Sequence, residues 1–253
     1  MAEDLQKASL WKRISAGLFD WILTGILVVG FGFLLSWILG YNDYNRTLNE
    51  AYDRYEAQYG VVFEVTGEEY ERMSAEQRAA YDEAYSALIA DDEAMYAYNM
   101  VLNLTLVIVS LGILAGVMVM EFVVPLMLKN GQTLGKKIFG IALMRTDGVK
   151  INTMQLFVRT VLGKYTIETM IPVLIILMIF FNMIGLLGTL ILGAILLVQL
   201  ILMGVTPTNS LIHDTLAGTV AVDFFSQMIF ETTEELIAYK KRVHAKMAAK
   251  SDY

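Results

Sequence analysis

Residues 165–203 read YTIETMIPVLIILMIFFNMIGLLGTLILGAILLVQLILM, a run of 39 positions in which Glu168 is the only charged residue. At about 1.5 Å of rise per residue, one helix of this length would reach roughly 58 Å. The hydrocarbon core of a bilayer is only about 30 Å thick. The run therefore encodes two crossings, and Asn182-Met183-Ile184-Gly185 is the natural turn between them. Two further apolar blocks lie upstream, Ile14 to Leu39 and Met100 to Leu128. The first is too long for a cleaved signal peptide and has no small-residue cleavage site after it, so it reads as a retained anchor. The expected fold is an all-α membrane protein with about four transmembrane helices and an extracellular helical-hairpin insert between the first and second.

The composition agrees with that expectation. Of 253 residues, 56% are hydrophobic and 18% charged, with a mean hydropathy of +0.53. Soluble domains carry roughly 45–50% apolar and about 25% charged residues. Cysteine is absent, which excludes disulfides, thiolate metal sites and cysteine nucleophiles.

The net charge of -7 comes from one segment. Residues 41–98 hold 14 acids and only four bases, Arg46, Arg54, Arg72 and Arg78. This distribution gives nucleic-acid binding no support. The loop 129–164 is the reverse, with Lys129, Lys136, Lys137, Arg145, Lys150, Arg159 and Lys164 against Asp147 alone. The tail adds Lys240, Lys241, Arg242, Lys246 and Lys250. The positive-inside rule then places both termini and the basic loop in the cytoplasm. The organisation expected is 1–40, N-terminus and first span; 41–98, acidic extracellular insert; 99–128, second span; 129–164, basic connector; 165–204, third and fourth spans; and 205–253, cytoplasmic segment and tail.

Within the insert, Tyr81, Tyr85 and Leu88 share a helical stripe, and Ser74-Ala-Glu-Gln77 resembles a capping box. Val61-Val62-Phe63 and Thr66-Gly67 divide the segment into two arms. A Tyr-rich acidic surface of this kind is either a plain solvated hairpin or a grip for a partner or cation. In the connector, Ile138–Arg145, Asp147-Gly148 and Val149–Ile151 predict a short β-hairpin. Residues 152–164 predict an interfacial amphipathic helix with Met154, Phe157, Val158 and Val161 toward lipid, and Arg159 and Lys164 toward water. Lys136, Lys137 and Arg159 read as interfacial bases. From Phe224 onward the tail predicts a charged amphipathic helix.

Ionisable residues inside a membrane cost about 2.5–3.5 kcal/mol on insertion scales and point to function by default. Counting inward from Arg13 puts Asp20 roughly 10 Å deep, and counting back from Lys129 puts Glu121 roughly 12 Å deep. Both acids should occupy one layer on adjacent helices. Either they are structural ion pairs, with Lys12, Arg13 or Arg159 as partners, or they form a carboxylate pair that shares a proton or binds Na⁺. Glu168, near the start of the third block, reads as snorkelling to the interface.

Several enzyme motifs fail. Gly131-Gln-Thr-Leu-Gly135-Lys136-Lys137 has three residues between its glycines where a P-loop needs four, and Lys137 stands where Ser or Thr is required. His213-Asp214 has no second histidine near it except His244 in the tail, and HExxH is absent. Asn45-Arg-Thr47 is a sequon that chance readily supplies. No enzyme activity and no cofactor is expected.

Three segments in order do resemble a known family. Trp11-Lys-Arg13-Ile-Ser-Ala-Gly-Leu-Phe-Asp20, Gly131-Gln-Thr-Leu-Gly-Lys136-Lys-Ile-Phe-Gly140 and Leu211-Ile-His-Asp214-Thr-Leu-Ala-Gly218-Thr-Val-Ala-Val are similar to the opening, connector and closing segments of the RDD family. The family's arginine and two aspartates map onto Arg13, Asp20 and Asp214. The resemblance implies a multi-pass protein, bacterial and in the plasma membrane. It also implies either cation/proton antiport with Na⁺ or H⁺ as ligand, or an accessory role in a membrane complex. On that basis Asp20 and Glu121 are the ion-site candidates, and Arg13 with Asp214 is the charge pair at the mouth. No inverted repeat is visible and four helices make a small carrier, so a homodimer or another membrane protein is the expected partner. The 58-residue insert at 41–98 is the main departure from short family members.

Overall fold

The computed structural model describes residues 5–128, 130–180 and 183–251, so Lys129, Asn182 and the side chain of Lys250 lie outside it. Among the described residues, four helical runs are long and apolar enough to cross a bilayer: Leu10–Ile38, Asp92–Leu128, Thr153–Phe180 and Gly185–Val205. Their surfaces explain the assignment. The first run, α1, buries only Ala16 and Asp20 and leaves Leu18, Trp21, Ile26 and Phe33 exposed. The fourth buries only Gly188. A helix that is apolar all round is stable in contact with lipid and would be unstable in water.

The chain divides into two compact units, residues 29–112 and residues 1–28 with 113–253. In the first of these, α2 (Tyr41–Tyr59), α3 (Gly67–Arg72) and α4 (Ala75–Ala90) form a helical hairpin. Capping boxes open both α3 and α4, Thr66 with Glu69 and Ser74 with Gln77. Asp91 then caps the start of α5 (Asp92–Met118) by accepting from the Glu93 and Ala94 amides. A small core of Ala51, Leu88 and Ala94, flanked by Tyr52, Tyr55 and Phe63, joins the arms.

In the other unit, two of the spans, the second and the third, interrupt regular helix with π-helical turns at telling places. The second span continues from α5 through a π-helical turn, Val119–Val123, into α6 (Val124–Leu128). A short α7 (Leu134–Ile138) follows, then strand β1 (Ile141–Arg145). The third span is α8 (Thr153–Phe157), a π-helical stretch Val158–Met170 and α9 (Ile171–Phe180). The fourth is α10 (Gly185–Val205), followed by α11 (Ile212–Ala217), strand β2 (Thr219–Asp223) and α12 (Thr233–Ser251).

The expected hairpin at 138–151 is only partly formed. Its turn exists, with Gly148 at φ 97° and Arg145 N–H donating to Val149 O at 2.8 Å. The return arm makes a single bridge, Met144 to Lys150. The true partner of β1 is β2, antiparallel, with Ile141 opposite Asp223 and Arg145 opposite Thr219. Lys7 bridges to Val222, so the chain start adds an edge beside β2. Both faces of this sheet are covered: Leu143 and Ile141 pack on Ala16 and Ala8, while Met144, Val220 and Val222 pack toward Leu5 and Ile229. Burial on both faces accounts for the continuous apolar runs of the two strands.

Two other expectations are corrected. Residues 152–164 are not a separate interfacial helix but the first half of the third span, and Arg159 is 2% exposed. The tail helix begins at Thr233, nine residues after Phe224, because Asp223 caps a turn through Phe225 and Ser226. We expect Leu143→Ala to lower stability by about 2–5 kcal/mol through a cavity in the sheet layer. Leu190→Ala, at a position 62% exposed on α10, should cost far less. Thermal unfolding of the purified protein compares them, and equal losses would contradict this placement of the core.

Candidate functional site

One end of the spans in the larger unit holds a cluster of charges that no aqueous surface accounts for. Its organiser is the π-helical stretch of the third span. In an α-helix, residues five apart lie about 140° apart around the axis. In π-helical backbone the repeat is i to i+5, and Thr169 Oγ1 donates to Lys164 O at 2.8 Å across that interval. Arg159, Lys164 and Thr169 consequently share one face, and all three line the same cavity of about 350 Å³. The shorter π turn in the second span carries Glu121 into the same cavity.

Arg159 is the hub. Its Nε donates to Asp214 Oδ1 at 2.9 Å, and its Nη1 stands 3.5 Å from Glu121 Oε2. Asp214 also accepts from Thr219 Oγ1 at 2.9 Å, and Arg13 Nη2 lies 3.7 Å from its other oxygen. Burial pushes the Asp214 carboxyl up, but Arg159 and His213 outweigh it and hold it well below the usual carboxylate range. Arg13 Nη1 donates to Asn209 O at 2.7 Å, which ties α1 to the segment after α10.

Glu121 is surrounded by cations. Lys164 Nζ donates to its Oε1, and Lys136 Nζ lies 3.6 Å from its Oε2. Thr160 Oγ1 donates to its backbone carbonyl at 2.8 Å. Despite these neighbours, Glu121 Oε2 and Arg159 Nη1 are buried without a hydrogen bond.

Asp20 has a different environment. Its Oδ2 accepts from Thr133 Oγ1 and its Oδ1 from the Gly135 amide at 2.8 Å. A Cβ at position 135 would collide with the Ala16 carbonyl, so glycine is what lets this amide approach. Among the described residues, no basic group lies within ion-pair distance of Asp20. Thr133 Oγ1 in turn accepts from Lys136 Nζ at 3.2 Å, which completes a chain from ammonium through hydroxyl to carboxylate. Burial pushes the Lys136 ammonium down to about 8, against the opposing pull of Glu121.

The sequence candidates therefore gather in one place but with other partners than expected. Asp20 and Glu121 line the same cavity, yet each bonds to its own set of donors. Lys136 and Arg159, read as interfacial bases, are buried at 9% and 2% exposure; only Lys137 remains exposed. Glu168 does not snorkel. It accepts from His213 Nδ1 at 2.7 Å and from the His213 amide at 3.0 Å. Gln199, the only strongly polar side chain of α10, also bonds Glu168 and accepts from the Ile212 amide at 3.1 Å. A lone amide in an otherwise apolar span was the signal that could have found it. Gly163 permits this packing, since a Cβ there would lie 2.5 Å from the His213 Cβ. Among the described residues, no group of three or more His, Asp or Glu side chains could hold a metal ion.

The model of the RDD family matches residues 7–218. No curated protein and no solved structure matches the chain.

Removing one partner of a buried ion pair costs about 3–5 kcal/mol, because the other charge is stranded. Arg159→Gln should therefore sharply lower the thermal midpoint and the monodisperse yield in detergent. Arg159→Lys should restore little, since one ammonium lacks the fork that reaches both carboxylates. Near-wild-type behaviour of either variant would remove Arg159 from its central place.

Proposed function

The chain belongs to the RDD family, and we propose that it is a cation/proton transporter in which Lys136 and Asp20 exchange a proton through Thr133. The observation that carries this reading is the hydrogen-bonded chain Lys136–Thr133–Asp20, whose two ends line a cavity that charged side chains share between apolar spans. The hydroxyl can accept a proton from the ammonium while passing its own to the carboxylate. The charged pair then becomes a neutral one. A cation entering the cavity repels the ammonium and lowers the proton affinity of the pair; the proton passed to Asp20 then leaves the carboxyl for water in the cavity, so that cation entry and proton release are coupled. In this scheme Glu121 is a fixed anion that keeps three cationic groups together, and Arg13 with Asp214 clasps the mouth.

The charge bias supports a plasma-membrane orientation with both termini cytoplasmic and the acidic insert outside. A non-transporting scaffold is the second reading. It is favoured by Asp214, whose carboxylate is fully occupied by Arg159, Thr219 and Arg13 as a purely structural knot would be. The scaffold would recruit another membrane protein or a second copy through the insert and tail.

Proton flux in proteoliposomes with Na⁺, K⁺ or Li⁺ outside separates the two readings. Transport predicts cation-driven proton movement, abolished by Asp20→Asn. Its pH profile should bend near pH 8, where Lys136 passes from ammonium to amine, and Lys136→Arg should remove that bend. The same depressed value means the folded state binds fewer protons than the unfolded between about 8 and 10.5, so this group alone makes stability rise with pH across that window. Absence of flux with every cation, from folded protein, would leave the scaffold.

A further inference from the structure

The hairpin of residues 41–90 carries a groove of about 470 Å³ beside the seam that joins its arms, with Tyr52 and Phe63 shared between the two. Four aromatic rings line it. Phe63 stands at the centre, 5.7 Å from the Tyr52 ring and 5.8 Å, edge to face, from Tyr81. Tyr81 stacks on Tyr85 at 6.5 Å, one helical turn along α4. Phe63 is held in place by its backbone amide, which donates to Glu56 Oε1 at 2.6 Å. Ring faces carry partial negative charge and attract cations within about 6 Å.

The remaining lining residues are Asp53, Glu56 and Glu64, with no base among them. The four arginines of the segment are engaged elsewhere: Arg46 with Asp43, Arg54 with Asp91, Arg72 with Glu68 and Arg78 with Glu71. Two of them already lie over other rings, Arg54 over Tyr55 at 5.1 Å and Arg78 over Tyr70 at 5.5 Å. The groove thus combines four aromatic rings with three carboxylates and has no base in its lining. A strongly hydrated metal ion gains little from ring faces. An organic ammonium gains from both the rings and the acids, because its charge is spread over apolar methyl or methylene groups.

We propose that the Tyr52–Phe63–Tyr81–Tyr85 groove, with Asp53, Glu56 and Glu64 at its edge, is a binding site for an organic ammonium cation. The occupant is either a free quaternary amine or an alkylammonium group such as a lysine side chain. The site is independent of the proton-exchange reading, since none of its residues lines the cavity around Asp20.

The test uses the full chain in nanodiscs of phosphatidylglycerol, which have no choline headgroups to compete. Saturation-transfer NMR would follow tetramethylammonium and butylammonium, with NaCl at matched ionic strength. Saturable binding of either organic cation is expected. Tyr81→Leu should weaken it about fivefold or more, as the loss of a cation–π partner worth roughly 1 kcal/mol implies. Tyr81→Phe should leave it nearly unchanged. The pair Asp53→Asn and Glu64→Gln, both at exposed positions, should weaken it without disturbing the rings. Stronger binding of tetramethylammonium assigns a free quaternary amine, and stronger binding of butylammonium assigns a lysine-like group. No saturable signal for either cation would overturn the site. So would binding that Tyr81→Leu and the double variant both leave intact.

Discussion

A guanidinium held between two carboxylates inside a layer of apolar helices is the interaction on which the rest of the protein depends. Arg159 links Asp214, from the short helix after the fourth span, to Glu121 of the second span. Arg13 draws the first span onto the same aspartate. Spans two and three would not associate through their apolar surfaces alone, because lipid is as apolar as they are. The ion pairs supply a directional attraction, and the close approaches at Gly135 and Gly163 let backbones come near enough to use it.

Such a knot costs desolvation, and its geometry offsets that cost unevenly. Asp214 has partners on both oxygens. Glu121 Oε2 and Arg159 Nη1 face each other without a hydrogen bond. Asp20 is satisfied by neutral donors only. The cluster is fully partnered around Asp214 and less committed toward the cavity, which is the arrangement a site needs if its framework must hold while one proton moves.

The four spans were legible because each is a block of about 20 or more apolar residues, and no other environment tolerates four of them. Counting residues inward placed Asp20 and Glu121 at a common depth, and both line the cavity. Capping signals at Ser74 and Gln77 were equally local and equally readable. What the sequence hid is non-local or depends on an uncommon backbone. A period of 3.6 turns Arg159 and Lys164 away from each other, whereas the π-helical repeat aligns them on Glu121. Nothing near β1 announces that its partner is β2, more than 70 residues later, since the Asp147-Gly148 turn offers a nearer arm. Glu168 looked like a boundary charge because its partners, His213 and Gln199, lie on other elements.

The central claim is that the Lys136–Thr133–Asp20 chain exchanges a proton with the cavity instead of serving as a fixed strut. Cation-induced proton release from purified, unbuffered protein near pH 8 tests this without requiring transport to be complete. The account predicts acidification on adding Na⁺, K⁺ or Li⁺, absent in Asp20→Asn and in Lys136→Arg. No acidification with any of these cations, from protein that retains its thermal transition, would contradict it.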